Sequence, residues 1–414
     1  MRLSTKRALD FYVGRPLLAL MQGAARVLGA VLRRDHGDLP VRSILIVKFQ
    51  GIGSLVLAKP ALAALRREHP DARIIFWGTP AMVPLAEQMP EFDELLVLDD
   101  RSLARAVASL ARSLVRLWRA PLDWAFDLEA YSRLSSVLVT FSLARNRSGF
   151  ALEQLRSRRA HTHLVYFNRY RHLGEAYARL VGQLLPRDTV IDASAHGEWK
   201  FPLTPLALPA LSAPYFVFNI HAGDLALERR WPRQHFQALI ARLLALRPDA
   251  IAVLIGHGAS ERAYTAPLAD PPRILDLSGQ LSLTETVRLL ANADLVVSND
   301  TAPLHLALST SVKLVGLFGP TRAETYLPPG RPNVQHAQES LYCAPCVHHW
   351  EPSPCHGDNQ CMKRLSPYTV LTRCCTLLGI PVPPPSADEG SEAIAPSSYY
   401  PGLVYRRSER QGQE

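Results

Sequence analysis

Acids, bases and cations that could act together are concentrated in a few short stretches of this chain. The stretch from Ser298 to Leu306, SNDTAPLHL, stands where a strand is predicted to end and a helix to begin. Crevices at the carboxyl ends of parallel strands are where open α/β sheets bind ligands. Asp300 and Thr301 are expected to cap the helix, whose first-turn N–H groups then face an anion. His305 follows within the first turns and adds a donor or a positive charge. A plain cap and a satisfied half-buried histidine would have the same spacing.

Two carboxylates stand in Phe126-Asp127-Leu128-Glu129. Period-two alternation puts Asp127 and Glu129 on one face of a strand near its carboxyl end, where one could remove a proton from a hydroxyl. Glu129 is the first choice because it lies further toward that end, with Asp127 second; a capping or salt-bridged pair is the alternative. Arg229 and Arg230 precede Trp231-Pro232. A pair of guanidinium forks suits a pyrophosphate, and a solvated charge pair is the competing reading. Gly223, just past a strand end, would permit close backbone approach, as would any turn glycine.

All six cysteines fall between Cys343 and Cys375. Cys343 and Cys346 have CxxC spacing, with Cys355 and Cys361 following and His348, His349 and His356 interleaved. The first pair is a zinc-knuckle cue, but five residues separate the second pair. A structural zinc, labile disulfides and simple thiols all remain open. Cys374 and Cys375 lie in a helix-like segment and read as core thiols. Cysteines confined to one segment suit a reducing compartment better than a disulfide framework.

The elements that must position these residues alternate. Ser43 to Val47 reads as a buried strand, Gln50 to Ser54 as a turn and Lys59 to Glu68 as a helix, with further strands at 73–77, 94–98 and 124–128. Four prolines between Phe201 and Pro214 mark a linker. The alternation then restarts, with strands at 215–219, 251–255, 295–298 and 313–318 and helices at 234–246, 283–291 and 302–308. Two Rossmann-like domains in tandem follow, over 41–205 and 206–380. A Pro-, Ser-, Glu- and Gly-rich tail, 381–414, is expected to be disordered.

The chain has 414 residues, 48% hydrophobic and 20% charged, with net charge +9. This is enough for two cores, and the charge suits anionic partners. No interleaved basic and aromatic face points to nucleic acid. Residues 1–40 are apolar and basic together. Arg15, Pro16, Gln22 and Arg26 interrupt them, so a signal peptide and a spanning helix are both disfavoured. Amphipathic helices with Phe11, Leu17, Leu20, Val27 and Leu32 on the buried side would set arginines against lipid phosphates. Packing on the protein's own surface is the equal alternative.

The segment LVVSNDTAPLHLALSTSVKLVGLFGPT resembles glycosyltransferase family 9, the heptosyltransferases, in which Asp-Thr-Gly-Pro-x-His grips the donor nucleotide and Phe-Gly-Pro-Thr follows the next strand. Ala302 replaces the usual glycine. VFNIHAGDLALERRWPRQHF and ILIVKFQGIGSLVLAKPALAAL resemble two further family segments, so the likeness spans about residues 42–330. It implies a GT-B architecture, α/β with two Rossmann-like domains facing an interdomain cleft. Donor contacts then fall on His221, Gly223, Arg229, Arg230, Asp300, Thr301, Ala302 and His305. Acceptor contacts fall on the loop with Gly51 and Gly53, and Lys48 beside that loop could hold a phosphate of the acceptor or equally be a surface lysine.

The family's loop ends Gly-Asp, and that aspartate is taken as the general base; here it is Ser54. A serine hydroxyl cannot serve unaided, which is why Glu129 and Asp127 are sought as substitutes. The expected reaction is inverting transfer of a heptose or related sugar from a nucleotide diphosphate to a lipopolysaccharide-core or other lipid-linked glycan. It would take place on the cytoplasmic side at the inner membrane face. The absence of an Asp-x-Asp motif means that no catalytic metal is required. A sugar-nucleotide-binding homologue without catalysis and a nucleotide-sugar epimerase of the same fold are the alternatives.

Overall fold

The computed structural model describes residues 5, 8–32, 40–152, 160–192, 199–206, 211, 214–223, 226–270, 272–341, 343–347, 354–355 and 357–385. The expected tail from 386 onward, His348, His349 and His356, and parts of the proline-rich linker lie outside the described residues.

Two six-stranded sheets form, and every pairing within them is parallel. In the first the order is β3-β2-β1-β4-β5-β6, with β1 Ser43–Val47, β2 Arg73–Gly78, β3 Glu94–Val97, β4 Trp124–Asp127, β5 Asn146–Ala151 and β6 His163–Tyr166. The second has the order β12-β11-β10-β7-β8-β9, with β7 Tyr215–Asn219, β8 Ile251–Ile255, β9 Ile274–Asp276, β10 Leu295–Asn299, β11 Leu314–Phe318 and β12 Val334–Gln338. The central strands β1, β7, β10 and β11 are buried at every residue. This is why they read as continuous apolar runs: helices cover both faces of a parallel sheet.

In chain order the helices are α1 Arg15–Leu32, α2 Ile52–Glu68, α3 Val83–Ala86, α4 Leu103–Trp118, α5 Arg133–Phe141, α6 Leu173–Val181, α7 Arg233–Leu246, α8 Gly258–Thr265, α9 Leu283–Ala291, α10 Ala302–Leu308, α11 Ala323–Tyr326, α12 Gln360–Lys363 and α13 Pro367–Leu378. Helix α2 corrects the expected turn over Gln50 to Ser54. It begins at Ile52 because Gly51 makes the bend alone, at φ 79°. Leu55, Val56, Leu57 and Ala58 are then buried in its first half, so burial favours helix well before Lys59. Lys59 is itself buried and paired with Glu91.

One apolar cluster runs through both halves, joining Leu55, Leu62 and Leu65 of α2 to Leu304 and Leu308 of α10. At the other end of the chain, Leu18 of α1 packs against Val137 of α5. Phe11, Leu20 and Val27, expected on the buried side, are exposed, because a single-sided contact with α5 can cover only one stripe of the helix.

Candidate active site

The second half contributes its cations and its anion from strand ends. Asp300 follows β10, and its carboxylate accepts a hydrogen bond from Thr321 Oγ1 at 2.7 Å. Arg229 Nη1 lies 3.6 Å from its Oδ2 and His305 Nε2 lies 3.5 Å from its Oδ1. Burial opposes ionisation of Asp300, yet these partners together hold its carboxyl below the usual range. Asp300 is therefore not a helix cap. Nor does the Thr301 side chain cap α10, since its hydroxyl accepts from Asn219 Nδ2 at 2.6 Å. The capping expectation fails because both side chains are drawn inward by stronger partners. Ala302 opens α10 without a positive φ, so the change from glycine strains nothing.

Arg230 turns the other way. Its guanidinium lies over the Tyr264 ring at 4.5 Å, and the His221 ring meets Tyr264 edge-on at 5.5 Å. Burial, then the Arg230 charge, push the His221 imidazole down to about 4, so it is neutral at pH 7. The Nε–H groups of Arg229 and Arg230 and both ring nitrogens of His221 are buried without protein hydrogen-bond partners. Gly223 takes the left-handed conformation at φ 63°. Behind the arginines, Asn359 Nδ2 donates to the Arg230 carbonyl at 3.0 Å, and Trp231 Nε1 donates to the Leu365 carbonyl at 2.8 Å. The cysteine-bearing segment thus braces the arginine turn.

The first half supplies the opposing wall. Glu129 Oε1 accepts from the N–H groups of Phe49 and Gln50 at 2.7 and 2.8 Å, and Lys48 Nζ lies 3.0 Å from Oε2. One lone-pair direction of Oε2 is left for a ligand. Lys48 is buried, and burial opposes its charge while Glu129 raises its pKa. Lys48 is therefore not a surface lysine but one held in a buried pair with Glu129. Ser54 Oγ donates to the Gly51 carbonyl at 2.7 Å and shares a hydrogen bond with Tyr177, which makes it a loop fastener.

Asp127 does not share the Glu129 face as expected. It accepts from Ser135 Oγ at 3.0 Å and Ser136 Oγ at 3.1 Å and lies 3.4 Å from His161 Nε2, fully buried. The strand ends at Asp127, so the alternation that would have aligned the two carboxylates stops before Glu129.

The two walls meet at Gly53, where a Cβ would overlap the His305 ring. Tyr326 of α11 packs edge-on against His305 at 5.8 Å. Burial lowers the pKa of the His172 imidazole. Sequence reasoning did not single out Tyr177, His172, Tyr264 or Tyr326. Thr321 had a signal, as the last residue of the Phe-Gly-Pro-Thr stretch.

Cys343, Cys346, Cys355 and Cys361 line one small pocket together with Pro320 and Glu228. All are free thiols. Burial raises Cys346 to about 11 and Cys361 to about 12. Among the described residues no group of three or more His, Cys, Asp or Glu is placed to hold a metal ion; the interleaved His348, His349 and His356 lie outside them.

Two six-stranded parallel sheets, one in each half of the chain and each covered by helices, define the GT-B fold. The model of glycosyltransferase family 9 (heptosyltransferase) matches residues 133–356, more than half of the chain, which therefore belongs to that family. Lipooligosaccharide heptosyltransferase 2 of Campylobacter jejuni serotype O:2 is 23% identical over 333 residues, 79% of this chain and 95% of that protein. Lipopolysaccharide heptosyltransferase 1 of Pseudomonas aeruginosa is 29% identical over 196 residues, 45% of this chain and 54% of that one. Among solved structures, E. coli ADP-heptose lps heptosyltransferase II has a TM-score of 0.62 at 19% identity, covering 81% of this chain and 98% of that chain. The family 9 glycosyl transferase of Veillonella parvula has a TM-score of 0.65 at 20% identity, covering 83% and 98%.

Proposed function

We propose that this enzyme transfers a heptose from a nucleotide diphosphate sugar to a lipopolysaccharide-core or other lipid-linked acceptor, with inversion at the anomeric carbon. The arrangement that supports this reading is the contact of Gly53 with His305, because His305 in turn lies 3.5 Å from Asp300, the partner of Arg229, while Glu129 holds the loop just before Gly53. The acceptor hydroxyl binds beside the loop over Gly51 and Gly53 and loses its proton to Glu129 Oε2. Its oxygen forms the new bond to the anomeric carbon as the bond to the diphosphate breaks on the opposite face. The electron pair leaves with the diphosphate, where Arg229, Arg230 and the backbone near Thr301 and Ala302 receive it. A cation held there stabilises the departing charge more than the bound substrate. The choice of heptose and of a lipid-linked acceptor rests on the names of the relatives. An acceptor of that kind would place the enzyme on the cytoplasmic side at the inner membrane face, with α1 against lipid.

Thermal-shift titration with ADP, UDP and GDP and their sugars tests the donor side. A ligand at about 100 times its Kd adds roughly 2.7 kcal/mol of stability. A shift with one nucleoside diphosphate, largely lost in Arg229→Ala, is the expected result. No shift with any of them would remove the reading.

A further inference from the structure

Helix α4 carries more apolar surface than its contact with the sheet uses. Its sixteen residues, LARAVASLARSLVRLW, contain no acid. Leu117 is buried on the first sheet with Leu110 and Leu114 against it. A second arc is open: Leu103 is 61% exposed, Val107 59%, Val115 50% and Trp118 51%. At 100° per residue these four fall within about 120° of one another, and the exposed Arg112 and Arg105, the latter 4.0 Å from Asp99, follow on the next arc. Large apolar side chains gathered on one exposed helical face are unusual on a protein surface that meets only water.

Helix α1 lies on the same side of the first sheet. It packs on α5 through Leu18, and the end of α5 is tied to α4 because Trp118 Nε1 donates to the Phe141 carbonyl at 2.8 Å. Phe11, Tyr12, Leu20 and Val27 on and just before α1 are exposed as well, and α1 also contains no acid. No helix among the described residues is long and apolar enough to cross a membrane.

We infer that α4 and α1 together form the docking face of the enzyme for an anionic phospholipid bilayer. Their apolar arcs enter the headgroup boundary, and Arg105 and Arg112 meet lipid phosphates. Charge argues for this occupant: two acid-free helices, flanking arginines and a chain of net charge +9 complement an anionic leaflet. The inference rests on the reading of a lipid-linked acceptor and adds a second, built-in helix to the N-terminal one. An enzyme whose acceptor is fixed in a membrane gains from a scaffold helix that holds its first domain at that surface.

The test is flotation of the full chain with phosphatidylcholine vesicles, with and without phosphatidylglycerol, for the wild type, Val107→Glu/Val115→Glu and Arg105→Glu/Arg112→Glu. Nucleotide thermal shift is read on the same samples, and sedimentation reports the oligomeric state. The expected result is wild-type flotation with anionic vesicles only, reduced roughly tenfold in each double variant, with the nucleotide shift retained. Unchanged flotation of both variants overturns the role of α4 and leaves the acceptor reading standing. A dimer that Val107→Glu/Val115→Glu dissociates, with flotation unchanged, overturns it in favour of a contact between copies. Loss of the nucleotide shift in the wild type would instead strike the transferase reading, independently of the vesicles. Should a double variant fail to fold, the single changes Val107→Ser and Arg112→Gln replace it, with smaller reductions expected.

Discussion

Gly53 of the first sheet's opening helix lies against the imidazole of His305 in the second half, so closely that a Cβ would overlap the ring. Gly53→Ala must therefore displace either α2 or His305. Overpacking of this kind costs about 1–3 kcal/mol. We expect a lower Tm together with a fall in kcat larger than the change in nucleotide affinity, because the change pushes the two walls apart. Steady-state kinetics alongside nucleotide titration separates these effects, and unaltered kcat would show that the cleft tolerates the shift.

Arg229→Ala removes the guanidinium 3.6 Å from a buried Asp300. Leaving a buried charge without its partner costs about 3 kcal/mol, so stability and diphosphate binding should fall together. Arg229→Ala/Asp300→Asn recovers most of the stability and none of the binding. Denaturant titration and the thermal shift, measured on both variants, distinguish a ligand contact from a structural pair.

Glu129→Gln keeps an oxygen able to accept the two N–H bonds from Phe49 and Gln50. Proton acceptance is lost. A general base is worth about 10²–10⁴ in rate, so kcat should fall by at least about a hundredfold while the nucleotide shift is unchanged. A fall of only a few-fold would confine Glu129 to holding the loop.

His221 is held neutral, its imidazole pushed down to about 4 from the ordinary 6.5 by burial and by Arg230. In the unfolded chain it takes a proton near pH 6.5 and in the folded chain only near 4, so falling pH favours unfolding between those values. Its contribution is complete above about pH 6.5 and is lost toward pH 4, amounting to up to about 3 kcal/mol. The wild-type Tm should fall over that window, and His221→Phe should flatten the slope there. An equal slope in both proteins would place the titration elsewhere.

The central strands were legible because burial on both faces leaves an unbroken apolar run, as in Tyr215–Asn219 and Ile251–Ile255. Helix α9, Leu283–Ala291, was equally clear, with Ser282 and Glu285 forming a capping box. Edge strands such as β6 and β12 were not, since partly exposed short strands have no continuous pattern. The motif stretches marked Arg229, Asp300 and His305. Tyr177 and Tyr326 have no local signature, because their importance comes from what stands opposite them.

By itself the sequence determined the class of fold, the family and the residues that gather at the strand ends, since these follow from periodicity and from motifs read along the chain. Only the tertiary structure decided what those residues face. Lys48 closes on Glu129, Asp127 turns to Ser135 and Ser136, and Asp300 meets Arg229. The physical reason is that a side chain's partner is set by three-dimensional packing and by the need to satisfy buried polar groups, and neither is written in neighbouring positions.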